Sequence, residues 1–220
     1  MPATPIDIRP IFAAPLATLE LTDAAPLNRE LETLLLARET EDHRNPEPTH
    51  VPQREVFESD FNLFHWTEPC IQALRRFMLG AVGQVAADLN GYSREDMAKL
   101  SLQAQAWFHI TRPGGSFVAH NHPMASWSAV YCVRAGEPSS ARRDSGVLRF
   151  LDQRPGANMY LDAGNARLRQ PYSFGHFALR LKAGQLVIFP AYLMHEVAAF
   201  VGEDLRITVA ANCWFPRPAG

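Results

Sequence analysis

Cysteine is scarce and unpaired in this sequence. Cys70, Cys132 and Cys213 are odd in number, far apart and form no Cys-x-x-Cys, which argues against a disulfide or zinc-cysteine framework and makes all three packing residues in a reducing compartment. No stretch is apolar enough to span a bilayer. The opening Met-Pro-Ala-Thr-Pro-Ile-Asp-Ile-Arg-Pro has neither a basic segment followed by an apolar run nor a small-residue cleavage signature. A cytoplasmic location without membrane contact is therefore expected. The formal net charge is -2 and no run of Lys or Arg stands out, so nothing predicts a phosphate-tracking surface, and nucleic acid is not an expected partner. Internal repeats and low-complexity tracts are absent as well.

What is present is a chain of 220 residues, 47% hydrophobic and 20% charged, enough for one sizeable core and short for two. The expected organisation is one domain over residues 1–220, with 1–100 as helical and extended support and 101–216 as a β core. The early part holds a short apolar segment from Ile8 to Leu21 and a helical stretch near Asn28 to Arg38. Between Glu39 and Gln53 lies a polar loop in which Asn45-Pro46-Glu47-Pro48 prevents long regular structure. From Pro69 to Leu89, the residues Ile71, Leu74, Met78, Ala81, Val82, Val85 and Leu89 recur at spacings of three and four. That pattern predicts an amphipathic helix opened by Pro69 and closed before Asn90-Gly91. Ser93 with Asp96 has the spacing of a capping box and predicts one further short helix.

After Leu100 the pattern becomes short β-type runs, near 102–111, 116–122, 126–134, 146–151, 176–182, 185–190, 194–201 and 204–215. Pro113-Gly114-Gly115, Gly136-Glu137-Pro138, Ala183-Gly184 and Gly202-Glu203-Asp204 separate them as turn material. Runs at this spacing predict a sandwich or barrel. The stretch from Gln153 to Gly175 reads as a long loop of the kind that covers a site.

Chemistry concentrates in Ala119-His120-Asn121-His122-Pro123, at the end of the second predicted strand. Residues i and i+2 of a strand face the same way about 7 Å apart, so His120 and His122 can converge on one ion while Asn121 points elsewhere. His195, opening the seventh strand, supplies a third imidazole, because the second and seventh strands of such a barrel are neighbours. Three imidazoles leave positions open for substrate and oxygen, as a non-haem iron site requires. Glu196 points to the other face. Arg206 lies in an otherwise apolar strand and calls for an anionic partner; its planar fork suits a carboxylate, with the Thr208 hydroxyl on the same face as a second donor.

The chain here resembles the 2-oxoglutarate and Fe(II)-dependent oxygenases, and within them a bacterial His-x-His-Pro subfamily. The resemblance is carried by Ala106-Trp107, by His120-Asn121-His122-Pro123 leading to Ser128-Ala129-Val130-Tyr131, and by Leu148-Arg149-Phe150-Leu151-Asp152-Gln153-Arg154. Gly184-Gln185-Leu186-Val187-Ile188-Phe189-Pro190 continues it through His195 to Arg206. It spans residues 106–214 and extends weakly to Pro10-Ile11-Phe12-Ala13-Ala14-Pro15. It implies a mainly β fold, the double-stranded β-helix (a jelly-roll, cupin-like barrel) with N-terminal helices packed on it. It also implies Fe(II), 2-oxoglutarate and O2 as cofactors, and hydroxylation of a small-molecule or amino-acid-like substrate with release of succinate and CO2.

By the resemblance His120 and His195 are iron ligands, and Arg206 with Thr208 clasps the 5-carboxylate of 2-oxoglutarate. Most of the superfamily has Asp or Glu where this chain has His122. Either His122 ligates, or a carboxylate such as Asp152 swings in; strand geometry places His122 and nothing places Asp152. Tyr131 and Ser128 are candidate cosubstrate contacts, and His109 and Trp107, which share a strand face, are candidate pocket residues. His43, His50, His65 and His176 read as surface or hydrogen-bonding residues. A homodimer stays open as a partnership. Two rival readings also stay open: a cupin-type three-histidine dioxygenase that does not use 2-oxoglutarate, and a non-catalytic ligand-binding barrel.

Overall fold

The computed structural model describes residues 6–46, 53–137 and 142–216; His50 lies outside them. In chain order the elements are β1 (Ala17–Glu20), α1 (Ala24–Ala37), β2 (Gln53–Glu58), α2 (Pro69–Asn90) and α3 (Arg94–Ala98). The strands β3 (Gln103–His120), β4 (Trp127–Arg134), β5 (Leu148–Phe150), β6 (Phe177–Leu179), β7 (Gln185–Pro190), β8 (His195–Val197) and β9 (Arg206–Trp214) follow. All strand pairs are antiparallel, in the order β1-β7-β4-β9-β3-β8-β5-β6, with β2 added on β3.

The helices form where the apolar spacing puts them. Pro69 occupies the first turn of α2, where its missing N–H costs nothing. Ile71, Leu74, Met78 and Val82 are fully buried, and Gly91 closes the helix in the left-handed region at φ 68°. Leu89 departs from the predicted stripe and is 54% exposed. Ser93 and Asp96 form the capping box in full, Asp96 N donating to Ser93 Oγ at 3.1 Å and Ser93 N to Asp96 Oδ2 at 3.0 Å.

Side-chain alternation gives the strands two apolar faces. The outer face carries Phe108, Ile110, Tyr131, Leu186, Ile188, Ile207 and Val209, packed against Leu31 and Leu35 of α1 and the buried stripe of α2. At roughly 1.5 to 3 kcal/mol per large buried side chain, this layer is the main stabilising mass. The inner face carries a smaller cluster of Cys132, Leu148, Phe150, Leu181, Val187, Phe189 and Leu193. All three cysteines are buried free thiols, in line with a packing role.

One expectation needs correction. Pro113-Gly114-Gly115 is no turn between strands; it lies inside β3, which pairs with β9 through Gln103–Thr111 and with β8 through Phe117–His120. The β2 register slips by three residues across this point, so 112–115 form a bulge that bends β3 from one part of the sheet into the other. A Cβ on Gly115 would stand 2.8 Å from the carbonyl oxygens of Arg112 and Glu55, so the bend needs glycine there. The extended part of the supporting region takes the form of two strands: β1, inside the apolar segment, extends the sheet along β7, and β2, following the predicted loop, extends it along β3. Residues 153–175 have neither helix nor strand, as predicted.

Candidate functional site

The bend in β3 delivers His120 to the strand end opposite His195, its direct partner in the β3–β8 ladder. His122 lies two residues beyond, its backbone N–H donating to Ala191 O at 2.9 Å. Ring centroids are 4.3 Å apart for His120 and His195, and 5.1 Å for each of their pairs with His122. One ring nitrogen from each of the three lies within 4.8 Å of the others. His120 Nδ1 meets Val118 O and His195 Nδ1 meets Leu193 O, both at 2.8 Å. A carbonyl only accepts, so both Nδ1 atoms carry the proton and both Nε2 atoms present lone pairs. Burial pushes the His122 imidazole down to about 3, with repulsion from His195 and His120 adding, and His195 down to about 4, with repulsion from His120 adding; burial lowers His120 too. The cluster is therefore neutral near pH 7 and can receive a cation.

The sign of this burial gives a first expected outcome. In the unfolded chain these imidazoles protonate near 6.5, whereas the folded metal-free protein refuses the protons, so stability falls as pH drops from about 6.5 toward 4. His122 and His195 together should approach a slope of roughly 2.7 kcal/mol per pH unit near pH 5. Urea midpoints in chelator at pH 7, 6 and 5 measure this, and a flat profile would contradict the buried neutral cluster.

The three rings open on a cavity of about 310 Å³ lined also by Trp107, His109, Arg206, Thr208, Val197 and Asn212. It is floored by the β3–β9 ladder, in which His109 faces Thr208, Trp107 faces Ala210 and Thr111 faces Arg206. Arg206 is only 4% exposed. Among the described residues its guanidinium has no ion pair and no hydrogen bond, and burial lowers its pKa. A buried cation without a partner is costly, so the cavity asks for an anion. Thr111 Oγ1, beside it, is likewise buried without a partner.

The structure thus brings together His120, His122, His195, Arg206, Thr208, His109 and Trp107. Tyr131 is elsewhere: fully buried on the outer face, it donates from its hydroxyl to Asn28 Oδ1 at 2.7 Å. Ser128 does not line the cavity; its hydroxyl donates to Asn212 Oδ1 at 2.9 Å, and Asn212 does line it. Asp152 is held away by Arg154, at 2.7 Å, and by Gly175 N, with its carboxyl drawn down to about 2 by the Arg154 hydrogen bonds first. Glu196 pairs with Arg149 at 3.2 Å. The long loop lines a second cavity with residues 11–16 rather than this one. Sequence reasoning missed Glu58, Phe61 and Phe117, all of which line the site.

Comparison with known proteins bears on the same residues. The family model described as "Putative 2OG-Fe(II) oxygenase" matches residues 105–212, which include the three histidines, Arg206 and Thr208. No curated protein matches the sequence. A prolyl-4-hydroxylase from Pseudomonas putida is similar in structure, with 19% identity over 93% of each chain and a TM-score of 0.55. AviO1 from Streptomyces viridochromogenes Tue57 gives 16% identity over 94% of this chain and 92% of its own, at 0.57. HygX from Streptomyces hygroscopicus, solved with nickel and 2-oxoglutarate bound, gives 9% over 91% and 83%, at 0.55. These likenesses establish the fold, a double-stranded β-helix with N-terminal helices on its outer face. Three convergent lone pairs suit Fe(II) and the unpaired guanidinium suits a carboxylate, so the residues present fit the cofactors of the matched family. Through residues 105–212 the chain belongs to the Fe(II)- and 2-oxoglutarate-dependent oxygenases, which act with O2.

Proposed function

We propose that this oxygenase hydroxylates a small molecule, with His120, His122 and His195 holding one Fe(II) and Arg206, seconded by Thr208, holding the distal carboxylate of 2-oxoglutarate. The observation that carries the reading is the buried, unpartnered guanidinium of Arg206 in the cavity of the three histidines. Bound Fe(II) supplies the coupling of 2-oxoglutarate decarboxylation to oxygen insertion, one O2 giving succinate, CO2 and a hydroxylated substrate. The protein's own part is placement. Val118 O and Leu193 O hold the His120 and His195 rings with Nε2 turned inward. Arg206 anchors the cosubstrate at one end, and Thr208 adds a hydroxyl from the same strand face. A volume near the lower limit of ligand pockets favours a small substrate. In this reading the whole chain is one oxygenase domain, α1 and α2 stiffening the sheet behind the site.

The test is Fe(II)-dependent conversion of 2-oxoglutarate to succinate, with acceleration by members of a panel of small amines, alcohols and amino acids. A metal-loaded protein that forms no succinate with or without the panel would rule the reading out. His122 is the ligand at which this chain departs from the common pattern. His122→Asp should keep iron, whereas His122→Ala should bind it weakly unless exogenous anions fill the gap. Full iron affinity in His122→Ala in chloride-free buffer would remove His122 from the ligand set.

A further inference from the structure

Glu58 lies outside the family-matched segment and has no part in the scheme above, yet it lines the same cavity. On β2 it stands directly across from His109, which on its other side faces Thr208 of β9. Glu58 Oε2 is 2.9 Å from His109 Nε2, and Asn45 Nδ2 donates to Glu58 Oε1 at 2.9 Å. The Trp107 indole N–H reaches the same His109 Nε2, at 3.0 Å. Among the described residues nothing hydrogen-bonds His109 Nδ1, and the ring borders the cavity 4.7 Å from the Phe117 ring.

Two groups therefore claim one nitrogen. The indole needs a lone pair at Nε2, whereas a carboxylate needs a proton there. A charge-assisted N–H···O⁻ bond is about twice as strong as a neutral one, so the carboxylate prevails and the proton sits on Nε2. In the tautomer with the proton on Nε2 the lone pair is on Nδ1. We infer that Glu58 is a positioning residue that fixes His109 in the Nε2–H tautomer, so that Nδ1 is an acceptor in the cavity and the substrate brings an N–H or O–H donor to it. This specificity rests on the reading of the cavity as the oxygenase active site.

Glu58→Gln provides an inversion. Asn45 continues to donate to the side-chain oxygen, so the new amide NH2 faces His109 and needs a lone pair at Nε2; the proton moves to Nδ1, which becomes a donor. Nitrogen NMR of histidine-labelled protein loaded with Zn(II) and 2-oxoglutarate reads the tautomer directly. We expect Nε2–H in the wild type and in Trp107→Phe, and Nδ1–H in Glu58→Gln. Indole and benzofuran, alike in shape but differing in the N–H, serve as probes. Indole should shift His109 Nδ1 and benzofuran should not, and Glu58→Gln should abolish the indole shift. An Nδ1–H or doubly protonated ring in the wild type, an unchanged tautomer in Glu58→Gln, or no selective response to indole would overturn the inference. The melting shift with 2-oxoglutarate on the same samples reports separately on the oxygenase reading.

Discussion

Arg206→Ala is expected to weaken 2-oxoglutarate by roughly 30- to 1000-fold, about 2 to 4 kcal/mol, while leaving metal affinity nearly unchanged. The guanidinium is buried and unpaired, so the charge-assisted bonds it gives a carboxylate replace no internal partner. The three histidines proposed to hold the metal sit at the start of β8 and at and just past the end of β3, and their placement does not depend on it. A ligand that binds only the folded state at a hundredfold excess over its dissociation constant stabilises by about 2.7 kcal/mol, which for a chain of this size raises the melting temperature by roughly 5 to 10 °C. Anaerobic wild type with Mn(II) should show that shift with 2-oxoglutarate, and Arg206→Ala should largely lose it. A metal-loaded wild type with no shift at millimolar 2-oxoglutarate would favour the cupin-type alternative. The same physics sets an opposite sign without cosubstrate. Arg206→Met removes an uncompensated buried charge, so the metal-free variant should melt above the wild type.

The parts of this fold legible in the sequence are those in which one periodicity holds over many residues. The stripe from Ile71 to Val82 fixes α2 and its buried face, and the Ser93–Asp96 spacing fixes α3. β4, β7 and β9 were visible for the same reason, as apolar runs bounded by turn residues. β1 is a four-residue strand and β2 mixes three charged residues into six, so each is specified by the partner it pairs with rather than by its own pattern. The bulge at 112–115 was unreadable because Pro-Gly-Gly serves a turn and a bend equally well. Of the site, strand alternation set His120 and His122 on one face, the expected adjacency of the second and seventh strands brought in His195, and Arg206 stood out as a cation in an apolar strand. The same rule shows why Tyr131 is no cavity residue: it differs in parity from Ser128 and Val130, so the strand turns it to the helices. Glu58 had a faint signal, a carboxylate directly after Val56-Phe57, but its partner His109 is 51 residues away and only the β2–β3 register joins them.

His195→Ala and His120→Ala should each lower Fe(II) affinity by more than about 100-fold, because partners that merely orient a ligand are already worth 10- to 100-fold. The loss should be greater at His195. It is the most buried of the three, its Nδ1 is fixed by Leu193 O, and Phe150 and Phe189 pack on its ring. Folding should survive, since the larger apolar cluster lies on the opposite face of the sheet, against α1 and α2. The cavity left by the ring should cost stability, but removing a buried imidazole that resists protonation returns part of that cost below pH 6. The variant should therefore lose less stability than the wild type between pH 7 and pH 5 in chelator. Iron content after desalting, far-UV circular dichroism and urea midpoints at the two pH values measure all three effects. Stoichiometric iron retained by His195→Ala would remove that residue from the metal site. Equal pH slopes in variant and wild type would show that the ring is not held neutral by its burial.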